Sequence, residues 1–243
     1  MHALTVLYGG SVDLSGESSA FQPVFKGQSA FTLALKQAAA FPGSKKTLLL
    51  AGEGEIPGFS ASMTTEQQIV LIQKPFWTVS ELLKTISEAC AGFDFAYYAW
   101  ADSPFLDAVL AGKIAERHTR YAAEYSYADG WPGGIGPELI TGAAAGILYK
   151  IAGDAGFGPV KRDSLFTVLQ KDINSFDIET EISDEDQRCR RLSFTADSKR
   201  NLLLLERFAA SWSDTDYAGN CAGIIAEHPE YLRTLPAFFP IQV

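Results

Sequence analysis

Short apolar runs alternate along the first half of the chain with longer segments whose apolar residues have helical spacing. The short runs predict strands at residues 3–8, 46–51, 69–73 and 95–101. The longer segments predict helices at residues 29–41, from Thr78 onwards and at 104–116. Alternation at this spacing is typical of βαβ units, so we expect a three-layer α/β/α fold around a mainly parallel, twisted sheet.

The second half of the chain has a less regular pattern. Its predicted strands are residues 121–127, 176–182 and 192–195. Its predicted helices are residues 137–151, 163–173, a segment that begins at Asp197 or Ser198, and 217–227. The sequence contains no internal repeat and no clear linker, so we expect residues 1–243 to form a single domain. Because the last residues are apolar and lack a cap, we also expect this domain to have been cut from a longer chain.

Asp102 closes the most informative stretch of the chain. It follows an aromatic-rich apolar run at residues 95–101, which is typical of a strand buried on both faces. We therefore expect Asp102 at the carboxyl edge of the parallel sheet, where open α/β sheets bind their ligands. Ser103 and Pro104 are predicted to be the N-cap and the first residue of the next helix. From the residues alone, Asp102 could help to cap that helix or could hold a divalent metal that bridges to phosphates.

Composition narrows the class of partner. The formal net charge is −9, so the basic footprint of a nucleic-acid-binding protein is missing. We find no apolar run long enough to span a membrane and no secretory leader, and we expect a cytoplasmic protein without a membrane partner. Cys90, Cys189 and Cys221 are far apart in the sequence and are expected to be buried or idle thiols.

The loop after the first predicted strand offers one place for a phosphate. Gly9, Gly10 and Ser11 allow close approach of the backbone, and Lys26 is the only cation between this strand and the next helix. The loop matches neither the P-loop nor the dinucleotide fingerprint. The chain also has no arginine before Arg117, although handling of a triphosphate usually needs several cations. Phosphate binding and an ordinary turn therefore both stay open.

Three segments, taken together, resemble nucleotidyltransferases with the nucleotide-diphospho-sugar transferase (GT-A-like) fold. Residues 101–106 are similar to the metal-binding aspartate segment of that superfamily. Residues 131–138 are similar to a Pro-x-Gly-Leu-x-x-Glu stretch in the cytidylyltransferases of spore-coat polysaccharide and acidic-sugar activation. Residues 191–202 look like the closing strand and helix of the same enzymes, where a Thr-Val-Asp-x-x-x-Asp-Leu pattern recurs. The order and spacing agree with that superfamily over nearly the whole chain.

Two further segments resemble one branch of this superfamily. Residues 125–134 and 172–181 look like parts of the amino-terminal domain of the spiro-SPASM proteins of spirochaetes. Members of that family continue into a radical-SAM module, so the resemblance implies a fused radical-SAM/SPASM module in the natural protein. The three cysteines of this chain cannot form the cluster motif of such a module.

The resemblance also implies roles for individual residues. It implies an Mg²⁺ ion held by Asp102 and Asp197, with Asp102 and Lys26 as the catalytic groups. The nucleotide, with CTP favoured, would be bound by Gly9, Gly10, Ser11 and Lys26. The substrate-binding residues would be Arg117, Arg120, Asp129 and Glu138, with Asp129 and Glu138 near a sugar hydroxyl or the metal.

Most of these residues also have a structural alternative. Glu138 could favour the start of the helix predicted at 137–151, and Asp197 could start the next one. Arg117 and Arg120 could belong to a solvated basic turn, in which His118 is a surface residue rather than a general base. The acidic residues between 177 and 186 are expected to form a solvated face.

Two departures from the pattern of active enzymes leave two functions open. The amino-terminal loop lacks the Gly-x-x-x-Arg…Lys signature, and Asn201 replaces the second aspartate of the closing pattern. One hypothesis is a metal-dependent, cytidylyltransferase-like enzyme that activates a sugar. The other is a domain that keeps the fold without catalysis and holds a nucleotide or nucleotide-sugar, or only supports the radical-SAM module. Nucleotide or nucleotide-sugar binding is the function we expect.

Overall fold

The computed structural model describes residues 1–15, 17–59, 69–187, 192–212, 221–228 and 230. Its strands are β1 (Ala3–Gly9), β2 (Ser44–Gly52), β3 (Ile69–Lys74), β4 (Phe95–Trp100), β5 (Tyr125–Asp129), β6 (Glu138–Ile140) and β7 (Ile178–Ile182). Among the described residues these strands form one sheet in the order β3, β2, β1, β4, β6, β5, β7. The pairings are parallel except those of β6, which runs antiparallel to β4 and β5. The prediction of a mainly parallel sheet is confirmed.

Helices cover both faces of the sheet. They are α1 (Ala30–Ala39), α2 (Val79–Ala89), α3 (Ala108–Arg120), α4 (Gly142–Asp154), α5 (Ser164–Leu169), α6 (Lys199–Ser211) and α7 (Cys221–Glu227). One core contains apolar residues of α1, α3, α6 and α7 together with strand residues such as Leu7 and Tyr97. The other contains residues of α2, α4 and α5 together with Val6 and Tyr98. Successive strand residues thus face opposite cores, which gives the predicted three-layer α/β/α architecture.

A crevice opens where the strand order reverses. The chain runs from β1 to β2 and β3 on one side, and α2 then returns it to β4 on the other side of β1. All residues of β1 and β4 are buried, so both strands lie in the middle of the molecule. Their carboxyl ends form a topological switch point, which is the usual ligand position in an open α/β sheet.

The predicted start of the helix after Asp102 is wrong. The helix α3 begins at Ala108 rather than Pro104, because Asp107 is its N-cap. The Asp107 carboxylate accepts a 2.7 Å hydrogen bond from the Leu110 amide. Its second oxygen accepts a hydrogen bond from the Ala222 amide and thereby ties the start of α7 to α3.

The helix predicted at residues 137–151 is also wrong in its first part. Residues 138–140 form β6, which fills the gap between β4 and β5 and pairs with both. The helix α4 starts only after Thr141, whose side chain accepts a 3.2 Å hydrogen bond from the Ala144 amide. A three-residue strand has no periodicity of its own, so its pairing partners decide its structure.

Residues 192–195, predicted as a strand, do not join the sheet among the described residues. Ser193 makes an isolated bridge with Gly133, and the Phe194 amide donates a 2.7 Å hydrogen bond to the Gly133 carbonyl. A side chain at Gly134 would place its Cβ only 2.7 Å from the Phe194 carbonyl oxygen, and φ there is +92°. Glycine at this position therefore lets the two segments approach closely.

The sequence also led to expectations about the three cysteines, the last helix and membrane-spanning segments. Cys90 and Cys221 are buried free thiols, as expected, whereas Cys189 and residues 217–220 lie outside the described residues. No helix in the described ranges has the length and apolar character that crossing a membrane requires.

Candidate functional site

Asp102 lies directly after β4, in the crevice beside β1. The Ala101 amide donates a 2.9 Å hydrogen bond to the Tyr8 carbonyl, which continues the strand pairing up to the crevice. The Asp102 residue is only 3% exposed. Because Asp107 is the N-cap of α3, the capping interpretation of Asp102 is wrong.

An arginine that the sequence did not single out neutralises Asp102. Arg162 Nη1 donates to Asp102 Oδ1 over 2.9 Å, and Nη2 donates to Oδ2 over 2.5 Å, so the ion pair is bidentate. The guanidinium also stacks on the Trp100 ring, with its carbon 4.0 Å from the ring centroid. The segment that carries Arg162 is fixed by a 3.4 Å hydrogen bond from the Val160 amide to the Trp77 carbonyl.

Asp197 joins the same cluster. Its Oδ2 accepts hydrogen bonds from the Thr195 hydroxyl over 3.0 Å and from Arg162 Nη2 over 3.3 Å. Its Oδ1 accepts a 2.8 Å hydrogen bond from the side-chain amide of Asn201. Ser198, not Asp197, is the N-cap of α6. Arg162 thus lies between the two carboxylates that the resemblance implies as metal ligands.

The side chains as they are placed do not fit a divalent cation. A divalent cation held by both aspartates would have to lie between their carboxylates. That position is taken by Arg162 Nη2, which is 2.5 Å from Asp102 Oδ2 and 3.3 Å from Asp197 Oδ2 and would repel a second cation. Within the described ranges, no group of three or more His, Cys, Asp or Glu side chains is arranged to hold a metal ion.

Two cavities meet at Arg162. Cavity A has a volume of about 620 Å³ and lies between the loop after β1 and the N-terminus of α6. Its charged lining consists of Lys161, Arg162, Lys199, Asp13, Glu17, Asp102 and Asp197. Carboxylates outnumber cations in this lining, so cavity A lacks the surplus of positive charge that a triphosphate usually meets.

Cavity B, on the other side of Arg162, has a volume of about 350 Å³ and aromatic walls. These walls are Tyr98, Trp100, Tyr125, Tyr127, Trp131 and Phe166. Four buried polar atoms of lining residues have no hydrogen-bond partner among the described residues: Tyr98 Oη, Trp100 Nε1, Ser103 Oγ and Trp131 Nε1. Unsatisfied buried polar atoms are rare, and four of those found in the described residues belong to side chains that line this one cavity.

Glu138 adds a titratable group to cavity B. It lies on β6, and its carboxylate accepts a hydrogen bond from the Tyr125 hydroxyl. Burial raises the pKa of Glu138 to about 7. As the pH rises through neutrality, the side chain therefore changes from a protonated carboxyl, which can donate a hydrogen bond, to a carboxylate, which can only accept one. Burial also raises the pKa of Tyr98 well above its usual value, which keeps its hydroxyl protonated. Because Glu138 lies on a strand, the helix-start interpretation of this residue is wrong.

The glycines of the first loop are explained by packing. A Cβ at Gly10 would lie 2.5 Å from Trp77 Cδ1 and 2.8 Å from the Tyr8 ring. A Cβ at Gly9 would lie 3.2 Å from the Ala101 Cβ. Of the three loop residues implied in nucleotide binding, Ser11 lines cavity A.

Lys26 and Asp129 lie outside the linings of the two cavities. Lys26 is exposed in a tight turn between Phe25 and Gln28, with φ +50°. Asp129 ends β5, where its Oδ1 accepts a 2.9 Å hydrogen bond from the Gly130 amide. Their implied roles stay predictions that this placement does not support.

The predicted cationic cluster lies at the end of α3 and lines neither cavity A nor cavity B. Arg117 pairs with Glu179 over 2.8 Å and with Glu181 over 4.0 Å, and so fastens α3 to β7. Arg120 pairs with Glu116 on the exposed face of the same helix. The acidic residues of β7 are therefore partly neutralised rather than simply solvated.

His118 is buried, so its interpretation as a surface residue is wrong. It is 3% exposed, with Nδ1 2.8 Å from the Ser126 hydroxyl and the ring packed edge-on against Phe95. Burial lowers the pKa of His118 to about 4. The neutral imidazole is part of the core between α3 and the sheet.

The residue that sequence reasoning missed is Arg162. It is separated from Asp102 by 60 positions, and nothing in its local pattern marks it. One physical signal existed: a buried carboxylate needs a cation, a metal or several donors to be stable. Because the first 116 residues contain no arginine, an arginine partner of Asp102 had to come from position 117 or later.

The fold of the described residues is similar to that of solved cytidylyltransferases. A cytidylyltransferase from Leptospira borgpetersenii serovar Hardjo-bovis (strain JB197) is similar over 95% of both chains, with a TM-score of 0.67 and 13% identity. The 2-C-methyl-D-erythritol 4-phosphate cytidylyltransferase of Thermus thermophilus is similar over 86% of this chain and 100% of its own, with a TM-score of 0.57 and 14% identity. At such identities the similarity shows the fold alone.

The sequence relatives match a smaller part of the chain. Two uncharacterised proteins of Treponema pallidum (strain Nichols) are 30% identical over 84 residues and 37% identical over 79 residues. Each match covers 32% of this chain, and the matches cover 38% and 21% of the two relatives. No protein-family model matches the chain.

Proposed function

We propose that this domain binds a nucleotide or nucleotide-sugar in the crevice and does not transfer nucleotidyl groups. The observation that carries the proposal is cavity B, with aromatic walls and four unsatisfied polar atoms. Aromatic faces suit the flat surface of a base or sugar ring, and ligand hydroxyls that reached the polar atoms would recover lost hydrogen-bond energy. The fold shared with cytidylyltransferases makes CTP and CMP-linked sugars the first ligands to test.

The proposal of binding without transfer rests on the charge of cavity A. In-line attack on a triphosphate requires cations that neutralise developing charge on the phosphate oxygens. Here Arg162 is shared between Asp102 and Asp197, and Lys26 lies outside the cavity.

We propose the cytoplasm as the compartment, because nucleotides are supplied there.

The test measures thermal unfolding with CTP, UTP, GTP, ATP and the matching nucleotide-sugars, with and without Mg²⁺. A ligand at about 100 times its Kd should stabilise the protein by about 2.7 kcal/mol. Release of pyrophosphate from the triphosphates with sugar acceptors should stay at background. A flat thermal response to every ligand would refute nucleotide binding, and pyrophosphate release would refute the absence of transfer.

Tyr98 and its neighbour Tyr97 offer a matched pair for locating the ligand. Tyr98→Phe removes an unsatisfied hydroxyl at cavity B, so the free protein should keep its stability while ligand affinity falls by about 1 kcal/mol, or roughly fivefold. Tyr97→Phe removes a 2.9 Å hydrogen bond to the Pro42 carbonyl on the other face of the sheet. That variant should lose about 1 kcal/mol of stability and bind the ligand as the wild type does. Equal affinities in both variants would place the ligand elsewhere.

A second proposal is that the domain is a scaffold for a fused radical-SAM module. The observation that favours it is that both oxygens of Asp102 and of Asp197 accept hydrogen bonds from groups of the protein itself. Under this proposal the thermal response to nucleotides is flat, and the domain stabilises the adjoining module when the two are joined. The ligand titration described above separates the two proposals.

A further inference from the structure

Arg162 occupies the space between two carboxylates that come from distant parts of the chain. Its Nη2 lies 2.5 Å from Asp102 Oδ2 and 3.3 Å from Asp197 Oδ2. Asp102 follows the central strand β4, and Asp197 precedes α6. One nitrogen of a guanidinium therefore bridges the pair in the way a cation would.

The remaining carboxylate oxygens have their own donors. Asp102 Oδ1 accepts from Arg162 Nη1 over 2.9 Å, and Asp197 Oδ1 accepts from Asn201 Nδ2 over 2.8 Å. An aspartate at position 201 could not donate this hydrogen bond and would add a third negative charge. Asn201 and Arg162 thus both donate hydrogen bonds to the Asp197 carboxylate from within the protein.

The guanidinium is held in place by more than its ion pairs. It stacks 4.0 Å from the centroid of Trp100. The backbone directly before it is fixed by hydrogen bonds from the Val160 amide to the Trp77 carbonyl and from the Lys161 amide to the Ser164 hydroxyl. A planar, permanently charged group of this kind is pre-organised for two carboxylates. The Arg162 guanidinium is therefore held in a fixed position in the wall of the crevice.

We propose that Arg162 replaces a divalent cation between Asp102 and Asp197, so that the crevice works without Mg²⁺. Asp102 and Asp197 would become a metal-binding pair only when Arg162 is removed. The net charge of the site also differs between the two cases. Two carboxylates with a divalent ion are neutral, whereas two carboxylates with one guanidinium carry a charge of −1. The crevice should therefore favour ligands with few phosphate charges over a metal-bound triphosphate, a consequence that rests on the proposed function.

The metal part of the proposal is tested without any nucleotide. Mn²⁺ is titrated into the metal-free protein, and free Mn²⁺ is followed by its electron paramagnetic resonance signal. Wild type should show no Mn²⁺ site that depends on Asp102. Arg162→Met should gain one site with a Kd of about 1 mM or lower, because two carboxylates then face each other without a counter-charge. The double variant Arg162→Met/Asp102→Asn should lose that site.

Lys161→Met is the matched control. Lys161 also lines cavity A and carries the same charge, but no ion pair joins it to Asp102 or Asp197 among the described residues. Its removal changes the net charge as Arg162→Met does, so a gain of Mn²⁺ binding in both variants would be a non-specific effect of charge and would refute the proposal. A gain in Arg162→Met alone supports it.

Wild-type binding of one Mn²⁺ ion that Asp102→Asn abolishes would overturn the proposal. So would a folded Arg162→Met variant that binds no Mn²⁺. Should Arg162→Met be unfolded without metal, Mn²⁺ should restore its near-ultraviolet circular dichroism. Failure of that rescue, when the double variant folds, would also count against the proposal.

A second measurement compares ligands in wild type. The affinity for CTP, and for a CMP-linked sugar, should be the same in EDTA as in Mg²⁺, and the sugar conjugate should bind more tightly. Strict dependence of CTP binding on Mg²⁺ would overturn the proposal. Absence of binding by any nucleotide would refute the proposed function and leave the Mn²⁺ result standing, so the two failures are distinguishable.

Discussion

Glu138, which is half-buried, and His118, which is buried, have pKa values that move in opposite senses. Burial raises the pKa of Glu138 to about 7, because it penalises the charged carboxylate. Burial lowers the pKa of His118 to about 4, because it penalises the charged imidazolium. Between about pH 4.5 and 6.5, the folded protein therefore holds a proton on Glu138 that the unfolded chain releases, and lacks one on His118 that the unfolded chain binds.

The Glu138→Gln variant should separate these two effects. Stability contributed by Glu138 is fully present below about pH 4.5 and is lost as pH rises through 7, because the unfolded chain binds fewer protons there. Removal of the carboxyl should make the variant progressively more stable relative to wild type between pH 5 and 8, by up to about 3 kcal/mol. Thermal unfolding of both proteins across this range is the measurement. A difference that does not change with pH would show that Glu138 titrates normally.

The two glycines after β1 show how a residue pattern can have a packing cause. Gly9-Gly10-Ser11 favoured a phosphate cradle from its position alone. Gly10 has a packing cause of its own, because a Cβ there would lie 2.5 Å from Trp77 Cδ1 and 2.8 Å from the Tyr8 ring. The sequence could not distinguish the two causes, because Trp77 is more than sixty positions away.

At the scale of elements, Asp107 joins two helices that are far apart in the sequence. Its carboxylate accepts hydrogen bonds from Leu110, at the start of α3, and from Ala222, at the start of α7. Asp107 is fully buried, and burial raises its pKa despite these hydrogen bonds. Loss of the carboxylate leaves two buried amides without acceptors.

Asp107→Ala should therefore destabilise the protein by about 2–4 kcal/mol, since it removes an N-cap and a second buried hydrogen bond. Urea unfolding measures the change. Ser198→Ala is the matched control, because Ser198 caps only α6, at the surface, and should cost about 1 kcal/mol. Equal losses in the two variants would mean that the contact to α7 contributes nothing.

Elements were predictable from the sequence where their own periodicity is strong. The runs that became β1, β2, β3 and β4 are continuous and apolar, and the spacing in α2 and α6 defines a single buried face. The strand β6 was missed, because its structure comes from pairing with β4 and β5. The start of α3 was misplaced, because Ser103-Pro104 and Asp107 are both acceptable starts and only the latter meets α7.

At the scale of the whole molecule, the position of Asp102 in the sheet was predictable from the sequence, whereas its ion pair with Arg162 was not. The order of strands and helices places Asp102 at the switch point between β1 and β4, and the segment 131–138 at cavity B. The partner of Asp102 depends on how the second half of the chain folds over the crevice. Local patterns carry no information on that contact, so the ion pair between Asp102 and Arg162 could not be predicted from the sequence.

The burial of the sheet predicts a gradient of local stability. All residues of β1 are buried between two helical layers, whereas β7 is an edge strand whose residues are partly or fully exposed. Amides of Ala3–Gly9 should exchange with solvent only on global unfolding, while those of Ile178–Ile182 also exchange through local opening.

Hydrogen exchange followed by mass spectrometry should therefore show peptides from β7 exchanging at least about tenfold faster than peptides from β1. The pairs of Arg117 with Glu179 and Glu181 fasten β7 to α3, so Arg117→Met should speed exchange in β7 and leave β1 unchanged. Arg120→Met is the control, since Arg120 pairs within its own helix. Equal protection of β1 and β7 in wild type would mean that the sheet opens as one unit and that its edge is no weaker than its centre.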